Sequence, residues 1–457
     1  MLEVILAQVE STHRETNDMN STRHIGFECM EERLCFSALS FVHQETEIVQ
    51  TVAVADLNGD RRPDLVQVEP VDPSGVSWFL SLNKNDQREL DRHPVTYTLE
   101  AGLTGVKAED VDGDGDLDLA FIENELQWFE NLDGLGSYDD ARVIPGEGAQ
   151  YFEFGDVDSD GDKDLIVLGV SVIAGQVDVW WHANRDGKGD FGPAEFIAEL
   201  GDFLVTTPKD LAIDDLDGDD DIDIVAAVHF DDGRGSKIQT FANEGSGSFG
   251  PPRQVEVAPG CNFTCSALSI SIGDVDGDAD SDIVVLDRRG LTWNENRDGE
   301  GDFGRSRSIP GNISASSGHI QLADLDADGD FDLVTGTSDL DATLTWSENI
   351  DGSFGQPKVI ATDRADLFWL VDLDQDGDVD VQTAFGDWFE STADEAAELL
   401  GDLNRDGTVA FDDFLILAMN FGRDDVDNAA DGDLNGDRVV DFRDFLLLAQ
   451  NFGKSIL

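Results

Sequence analysis

The chain has 457 residues, with 98 Asp and Glu against 29 Lys and Arg and a formal charge of −69. That charge excludes nucleic acid and anionic membrane surfaces as partners, because both would be repelled. An apolar content of 40% in regular short runs excludes a disordered acidic protein, and no run approaches the 18 apolar residues of a membrane span.

Residues 1–45 carry no repeat. Met1–Glu10 is too short and too acidic for a secretory signal. Arg33–His43 contains one strand-like run, Leu34–Val42. From residue 46 to 392 an acidic nonapeptide, Asp-x-(Asp/Asn)-x-Asp-x-x-x-Asp, recurs seven times at intervals of 46 to 59 residues. Its odd positions are Asp56, Asn58, Asp60 and Asp64, then Asp110, Asp112, Asp114 and Asp118, then Asp156, Asp158, Asp160 and Asp164. Asp215, Asp217, Asp219 and Asp223 follow, then Asp274, Asp276, Asp278 and Asp282. The last two copies are Asp324, Asp326, Asp328 and Asp332, and Asp372, Asp374, Asp376 and Asp380.

Oxygens at positions 1, 3, 5 and 9, with a carbonyl near position 7, wrap a short loop around a hard cation. Ca²⁺ takes 6–8 such oxygens in flexible geometry, whereas Mg²⁺ keeps its waters. Gly at position 6 (Gly115, Gly161, Gly329, Gly377) permits the tight turn. Arg61, Asp220 and Ala279 stand there in the first, fourth and fifth copies, so the loops at Asp56, Asp215 and Asp274 depart most from the pattern. Merely solvated acidic loops are the alternative, and seven copies in one register weigh against it.

Around each loop the order is strand, loop, strand, strand, turn, strand, the meander of a four-stranded propeller blade. Asp118–Ile122 starts a second strand and Gln127–Asn131 forms a third. A Trp-x-x-Asn element recurs at Trp128–Asn131, Trp181–Asn184, Trp293–Asn296 and Trp346–Asn349. An aromatic-Gly pair follows it at Phe191, Phe303 and Phe354, and Phe249-Gly250 is a fourth such pair. These Trp rings are expected to pack blade on blade rather than form a ligand platform. The seventh repeat ends after Trp388–Glu390 without an aromatic-Gly strand, so an N-terminal strand within Arg33–His43 is expected to cover the open edge.

These residues resemble the FG-GAP/VCBS repeats of bacterial surface proteins, related to the propeller of integrin alpha subunits. The resemblance covers residues 46–392 and rests on the Asp-x-Asp-Gly-Asp-Gly-x-x-Asp-Leu loop and the Phe-Gly pair. It implies a mainly β fold, a seven-bladed β-propeller whose calcium loops join the first two strands of each blade. It does not identify a ligand, because the family includes adhesins, receptors, structural modules and some enzymes.

Residues 393–400 read as a linker, and 401–457 as a small duplicated α-helical unit. Two EF-hand-type loops begin at Asp402 and Asp433, each followed by a similar helix, Phe414–Gly422 and Phe445–Gly453. This duplication resembles a type I dockerin. The resemblance implies ligands Asp402, Asn404, Asp406, Thr408 (backbone) and Asp413 in the first loop. In the second it implies Asp433, Asn435, Asp437, Val439 (backbone), Asp441 and Asp444. Ala410 removes a side-chain ligand at position 9 of the first loop, so the loop at Asp402 also departs from the pattern. Up to nine Ca²⁺ are expected in all. Phe411/Asp412 and Phe442/Arg443 replace the small hydroxyl residues with which dockerins choose a cohesin, so a cohesin-like partner and a calcium-folded cap that binds nothing both stay open.

No nucleophile elbow, zinc signature or phosphate loop is present. His182, His229 and His319 are lone residues, and the paired carboxylates are mostly claimed by the loops. Cys29/Cys35 and Cys261/Cys265 are spaced to close small disulfides or to stay as thiols, and spacing does not decide between them. The reading is a calcium-binding, secreted or surface-associated binding or adhesion module for a protein or polysaccharide ligand, attached through the dockerin-like unit. The alternatives are a dockerin-bearing polysaccharide lyase or glycoside hydrolase, and a purely structural surface protein.

Overall fold

A computed structural model describes residues 23–24, 41–44, 50–71, 75–84, 89–95, 104–122, 125–144, 148–171, 174–257, 267–311, 318–337, 343–350, 352–362, 367–373, 377–384, 387–391, 403, 409–423, 432, 439–440 and 442–452. The cysteines of both pairs lie outside these residues.

The chain folds as a β-propeller with six four-stranded antiparallel blades. Blade 1 spans Gln50–Ala55 to Glu89–Val95, and blade 2 spans Thr104–Glu109 to Arg142–Val143. Blade 3 runs from Ala149–Gly155 to Glu195–Asp202, and blade 4 from Thr206–Asp214 to Arg253–Val255. Blades 5 and 6 run from Ala267–Gly273 to Arg307–Ser308 and from Gly318–Ala323 to Lys358–Thr362. In every blade the strands pair in chain order, and the acidic loop joins the first to the second.

The expectation of seven blades gives way here to six, plus one sheet of different make-up in the place of the incomplete seventh. The seventh repeat supplies only Phe368–Val371, Asp380–Thr383 and Trp388–Ser391. Its outer edge pairs with Phe41–Gln44, Phe41 opposite Ser391 and Gln44 opposite Trp388, and Arg23–His24 adds a fifth strand.

Burial explains why the second strands are continuously apolar. Asp164–Leu168 and Asp223–Val228 are buried at every position because each sheet is covered by a neighbour on both faces. The cores therefore lie between blades. Ile166, Leu168, Val179 and Trp181 of blade 3 pack on Leu211, Ile224, Val228 and Phe241 of blade 4. Leu325, Val334, Trp346 and Ile360 of blade 6 pack in the same way on Phe368, Val381 and Phe389 of the five-stranded sheet.

The repeated Trp follows this rule. A Cβ added to Gly189 would fall 2.3 Å from Trp128, and one at Gly247 would fall 2.4 Å from Trp181. Each indole thus lies under the Gly turn of the next blade, which a methyl group would already block. The aromatic-Gly pair does not belong to the fourth strand. Phe191 and Phe303 bridge back to Asn184 and Asn296, closing a small loop before the fourth strand begins.

At the C-terminus, helices α1 (Phe411–Asn420) and α2 (Phe442–Asn451) share a core of Leu403, Val409, Leu417, Val440 and Leu448. Phe414 and Phe445 meet edge-on at 6.0 Å across the pair. Phe411, Leu415 and Met419, at helical spacing, are exposed.

Candidate metal loops and an axial polar belt

The loops share one hydrogen-bond scheme, built from their own carboxylates. The first Asp accepts the N–H of position 6: Gly115 to Asp110 at 3.0 Å, Gly161 to Asp156 at 3.0 Å, Gly329 to Asp324 at 3.1 Å. The fifth position accepts the N–H of position 7, as Asp162 to Asp160 at 3.0 Å. The ninth-position Asp is buried in all seven copies, from Asp64 to Asp380. One of its oxygens accepts the position-2 N–H, as Val157 to Asp164 at 3.1 Å and Leu373 to Asp380 at 2.9 Å. The other accepts an N–H from the end of the third strand, as Asn184 to Asp164 and Ser391 to Asp380, both at 2.7 Å. That carboxylate folds the loop and ties it to its blade.

The departures at position 6 do not open the loops. Arg61, Asp220 and Ala279 hold φ of 68°, 68° and 73°, the left-handed conformation that glycine takes elsewhere. A Cβ at Gly115, Gly161, Gly329 or Gly377 would meet nothing within 4 Å, so only the backbone conformation disfavours a side chain there. Asp220 and Ala279 still donate to Asp215 and Asp274 at 2.9 Å.

Four loops bring oxygens of positions 1, 3 and 9 within 4.8 Å of one another: Asp110/Asp112/Asp118, Asp156/Asp158/Asp164, Asp215/Asp217/Asp223 and Asp274/Asp276/Asp282. The sixth gathers Asp324, Asp326 and Asp328. The fourth and fifth copies thus keep the cluster despite Asp220 and Ala279. In the first copy, Asn58 Nδ2 donates to both oxygens of Asp64, at 3.2 and 3.0 Å, so an amide stands where the others present a carboxylate. Among the described residues no such trio is gathered there.

The clusters fit a cation by their chemistry. Oδ1 of Asp110, Asp158, Asp217 and Asp276 is buried and accepts no hydrogen bond, a costly state for a carboxylate oxygen. Burial, ahead of neighbouring carboxylates, pushes Asp158, Asp217 and Asp276 above the usual carboxylate range. It pushes Asp164 up to about 6, Asp118, Asp223 and Asp282 to about 7, and Asp332 to about 8, against the lowering pull of their backbone donors. A divalent ion would relieve both the crowding and the unmet oxygens.

Of the remaining expected ligands, Asp374, Asp376, Asp402, Asn404, Asp406, Thr408, Asp433, Asn435, Asp437 and Asp441 lie outside the described residues. Asp413 is buried and accepts Leu403 and Ala410 N–H at 2.7 Å each, one carboxylate holding two backbone donors as the ninth-position Asp does in the blades. Asp444 is buried, and Val439 lies at the surface.

A second constellation has no motif. The first strands of successive sheets lie side by side around the centre, and their polar residues link blade to blade. Lys107 of blade 2 pairs with Glu153 of blade 3 at 2.7 Å. Asp210 of blade 4 accepts Ile270 N–H of blade 5 at 2.7 Å, and Ser269 Oγ lies 3.4 Å from His319 Nδ1 of blade 6. His319 meets Phe368 edge-on at 5.3 Å. Burial holds Asp210 up to about 6, with Glu153 adding to it, and depresses His319 to about 4. These residues come from separate repeats, so sequence alone left His319 a lone residue. The available signal was a charged residue three or five places before a loop's first Asp. His182 is structural: its buried Nδ1 lies 2.9 Å from Gly192 O.

The FG-GAP-like repeat model matches residues 56–121, 110–167, 215–285 and 274–335, together just over half of the chain. No curated protein matches it. Among solved structures it is similar to BBS1N in complex with ARL6DN, at 15% identity over 76% of this chain and 92% of that one, TM-score 0.46. Saccharomyces cerevisiae Sqt1 gives 11% identity over 77% and 89%, TM-score 0.47. Penicillium chrysogenum alpha-L-arabinanase complexed with arabinobiose gives 12% over 63% and 92%, TM-score 0.44. At these values the neighbours say nothing of what the chain binds.

Proposed function

Since the chain belongs to the FG-GAP-like repeat family, we propose that it is a secreted or surface-associated binding module, a propeller stabilised by calcium. Position 1, 3, 5 and 9 oxygens hold the ions, which supply charge compensation to the loops. The division is 1–45, 46–392, 393–400 and 401–457. The five-stranded sheet serves as a seventh blade, closed by Phe41–Gln44. The C-terminal helix pair acts as a dockerin-like unit for attachment, its exposed Phe411, Leu415 and Met419 offering the surface.

The observation that carries this reading is the contrast between the loops and the axial belt. The loops repeat, so they are scaffold, while Lys107, Glu153, Asp210 and His319 do not repeat and have no scaffold role common to the blades. A ligand with both donors and acceptors, such as a polysaccharide segment or a polar peptide, suits that mixed lining.

One observation favours a second reading, a carbohydrate-active enzyme. Glu153 and Asp210 are neighbouring carboxylates that burial pushes up together, Asp210 to about 6, while Lys107 beside Glu153 pulls that one back, a difference in surroundings of the kind that sets an acid apart from a base. A panel of neutral and acidic polysaccharides tests both readings. Retention that is lost in Lys107→Ala, with no new reducing ends or unsaturated products, supports the binding module. Turnover lost in Glu153→Gln supports the enzyme. Retention that Lys107→Ala and Glu153→Gln leave untouched would place the ligand away from the axis and sink the axial assignment.

A further inference from the structure

The Asn that closes each third strand does two things at once. Its backbone N–H goes to the ninth-position Asp of its own loop, at 2.7 Å for Asn131, Asn184, Asn243, Asn296 and Asn349. Its side-chain Nδ2 goes to the position-2 carbonyl of the preceding blade's loop. The pairs are Asn131 to Leu57 at 2.9 Å, Asn184 to Val111 at 2.9 Å and Asn243 to Val157 at 2.8 Å. Asn296 reaches Leu216 at 2.8 Å and Asn349 reaches Val275 at 2.7 Å. All five side chains are buried.

The position-2 residue also faces both ways. Its N–H donates to its own ninth-position Asp, as Val111 to Asp118, Val157 to Asp164, Leu216 to Asp223 and Val275 to Asp282, at 3.1 to 3.2 Å. Its carbonyl accepts the next blade's Asn. The hydrogen bonds therefore form one unbroken chain from Leu57 through the loops of blades 2 to 5 and on to the loop of blade 6, where Leu325 N–H reaches Asp332 at 3.4 Å. Every link passes through the position-2 residue, by its N–H and its carbonyl, and that residue stands between the position-1 and position-3 Asp of the cluster. In the five-stranded sheet Ser391 takes the Asn place and keeps the N–H to Asp380 at 2.7 Å.

We infer that Asn131, Asn184, Asn243, Asn296 and Asn349 are positioning residues that couple cation binding between neighbouring blades. Each one sets the loop of the blade before it. The inference rests on reading the loops as calcium sites. It is directional, because the Asn side chain holds the previous loop by the shorter bond. Asn296 Nδ2 lies 2.8 Å from Leu216 O and 3.3 Å from Ser281 O of its own loop. The same order holds for Asn131, Asn184 and Asn349, at 3.2, 3.2 and 3.0 Å to Leu117, Lys163 and Phe331. Removal of the side chain therefore weakens the previous site more than its own. Partners of this kind, one step removed from the ligands, typically change metal affinity 10- to 100-fold.

The test uses the full chain, with amide hydrogen exchange followed across a calcium titration so that each loop reports separately. Asn296→Asp keeps shape and backbone but loses the donor to Leu216. Asn296→Ser copies Ser391 and is run beside it, so that one misfolded variant does not decide the result. Asn294→Ala is the control, since Asn294 is buried two residues away and neither of its amide atoms has a partner. The calcium midpoint for protection of residues 215–223 should rise about tenfold in both Asn296 variants. It should stay in place in Asn294→Ala, and that of residues 110–118 should stay in place in all three. A midpoint for 215–223 that does not move, or a larger change at 274–282 than at 215–223, overturns the coupling and leaves the calcium reading intact. If no loop of the unaltered protein gains protection from calcium, the calcium reading itself fails.

Discussion

The loop end of the first strands and the belt three to five residues before it differ in one respect, repetition. Blades 2 to 6 build the same loop, and the structure uses its polar atoms on itself: position 1 turns the loop, position 9 locks it to the third strand, and Asn fastens each blade to the loop before it. The belt uses a different residue in each blade, Lys107, then Glu153, Asp210, Ser269 and His319. In a repeat protein, what recurs answers to packing between neighbours and what varies is free to answer to a ligand.

The largest expected effect separates the two regions directly. Each site held at a hundredfold excess of calcium contributes about 2.7 kcal/mol. Chelation with EGTA should therefore lower Tm by roughly 10 °C or more across several sites, whereas Lys107→Ala should move it far less. An unshifted transition in EGTA would end the distinction, because the loops would then need no ion.

The pH response sharpens the contrast. Asp118, Asp223 and Asp282 are held at about 7 and Asp332 at about 8, above the unfolded value near 3.9. Their protonated forms favour the metal-free fold, so that contribution is complete below pH 4 and is lost progressively as pH rises from about 4 to 8. In excess calcium the ion competes with these protons, and its affinity should climb over the same range. Thermal unfolding from pH 4 to 9, with EGTA and with calcium, should thus give slopes of opposite sign, and parallel curves would count against the loops as metal sites.

The smallest effect concerns one backbone position. Ala279 holds φ of 73°, and its loop is otherwise intact. Ala279→Gly should stabilise the protein by about 1 kcal/mol, read from urea unfolding in calcium, while the same change at an extended position should destabilise it.

Much of the loop was legible because its determinants are local. Nine residues fix which oxygens converge, and the interval between copies fixes the size of a blade. The sequence pattern marked the loops at Asp215 and Asp274 as departures, and the structure adds that Asp220 and Ala279 take the left-handed conformation there with their backbone N–H groups bonded to Asp215 and Asp274. The pattern gave the Asn of Trp-x-x-Asn no role and passed over Asn243, which follows Thr240 rather than Trp. Its partner lies 86 residues away, at Val157, and no local pattern points there.

By itself the sequence determined the acidic loops, the strand order within a blade and the apolar second strands, since alternation, turn chemistry and charge crowding act over a few residues. Only the tertiary structure decided that six blades are alike and that Phe41–Gln44 is the strand covering the seventh repeat's edge, which the sequence places within Arg33–His43. It alone placed each Trp under the next blade's glycine and brought Lys107, Glu153, Asp210 and His319 to one axis. Those contacts join residues that are neighbours around the ring and strangers along the chain.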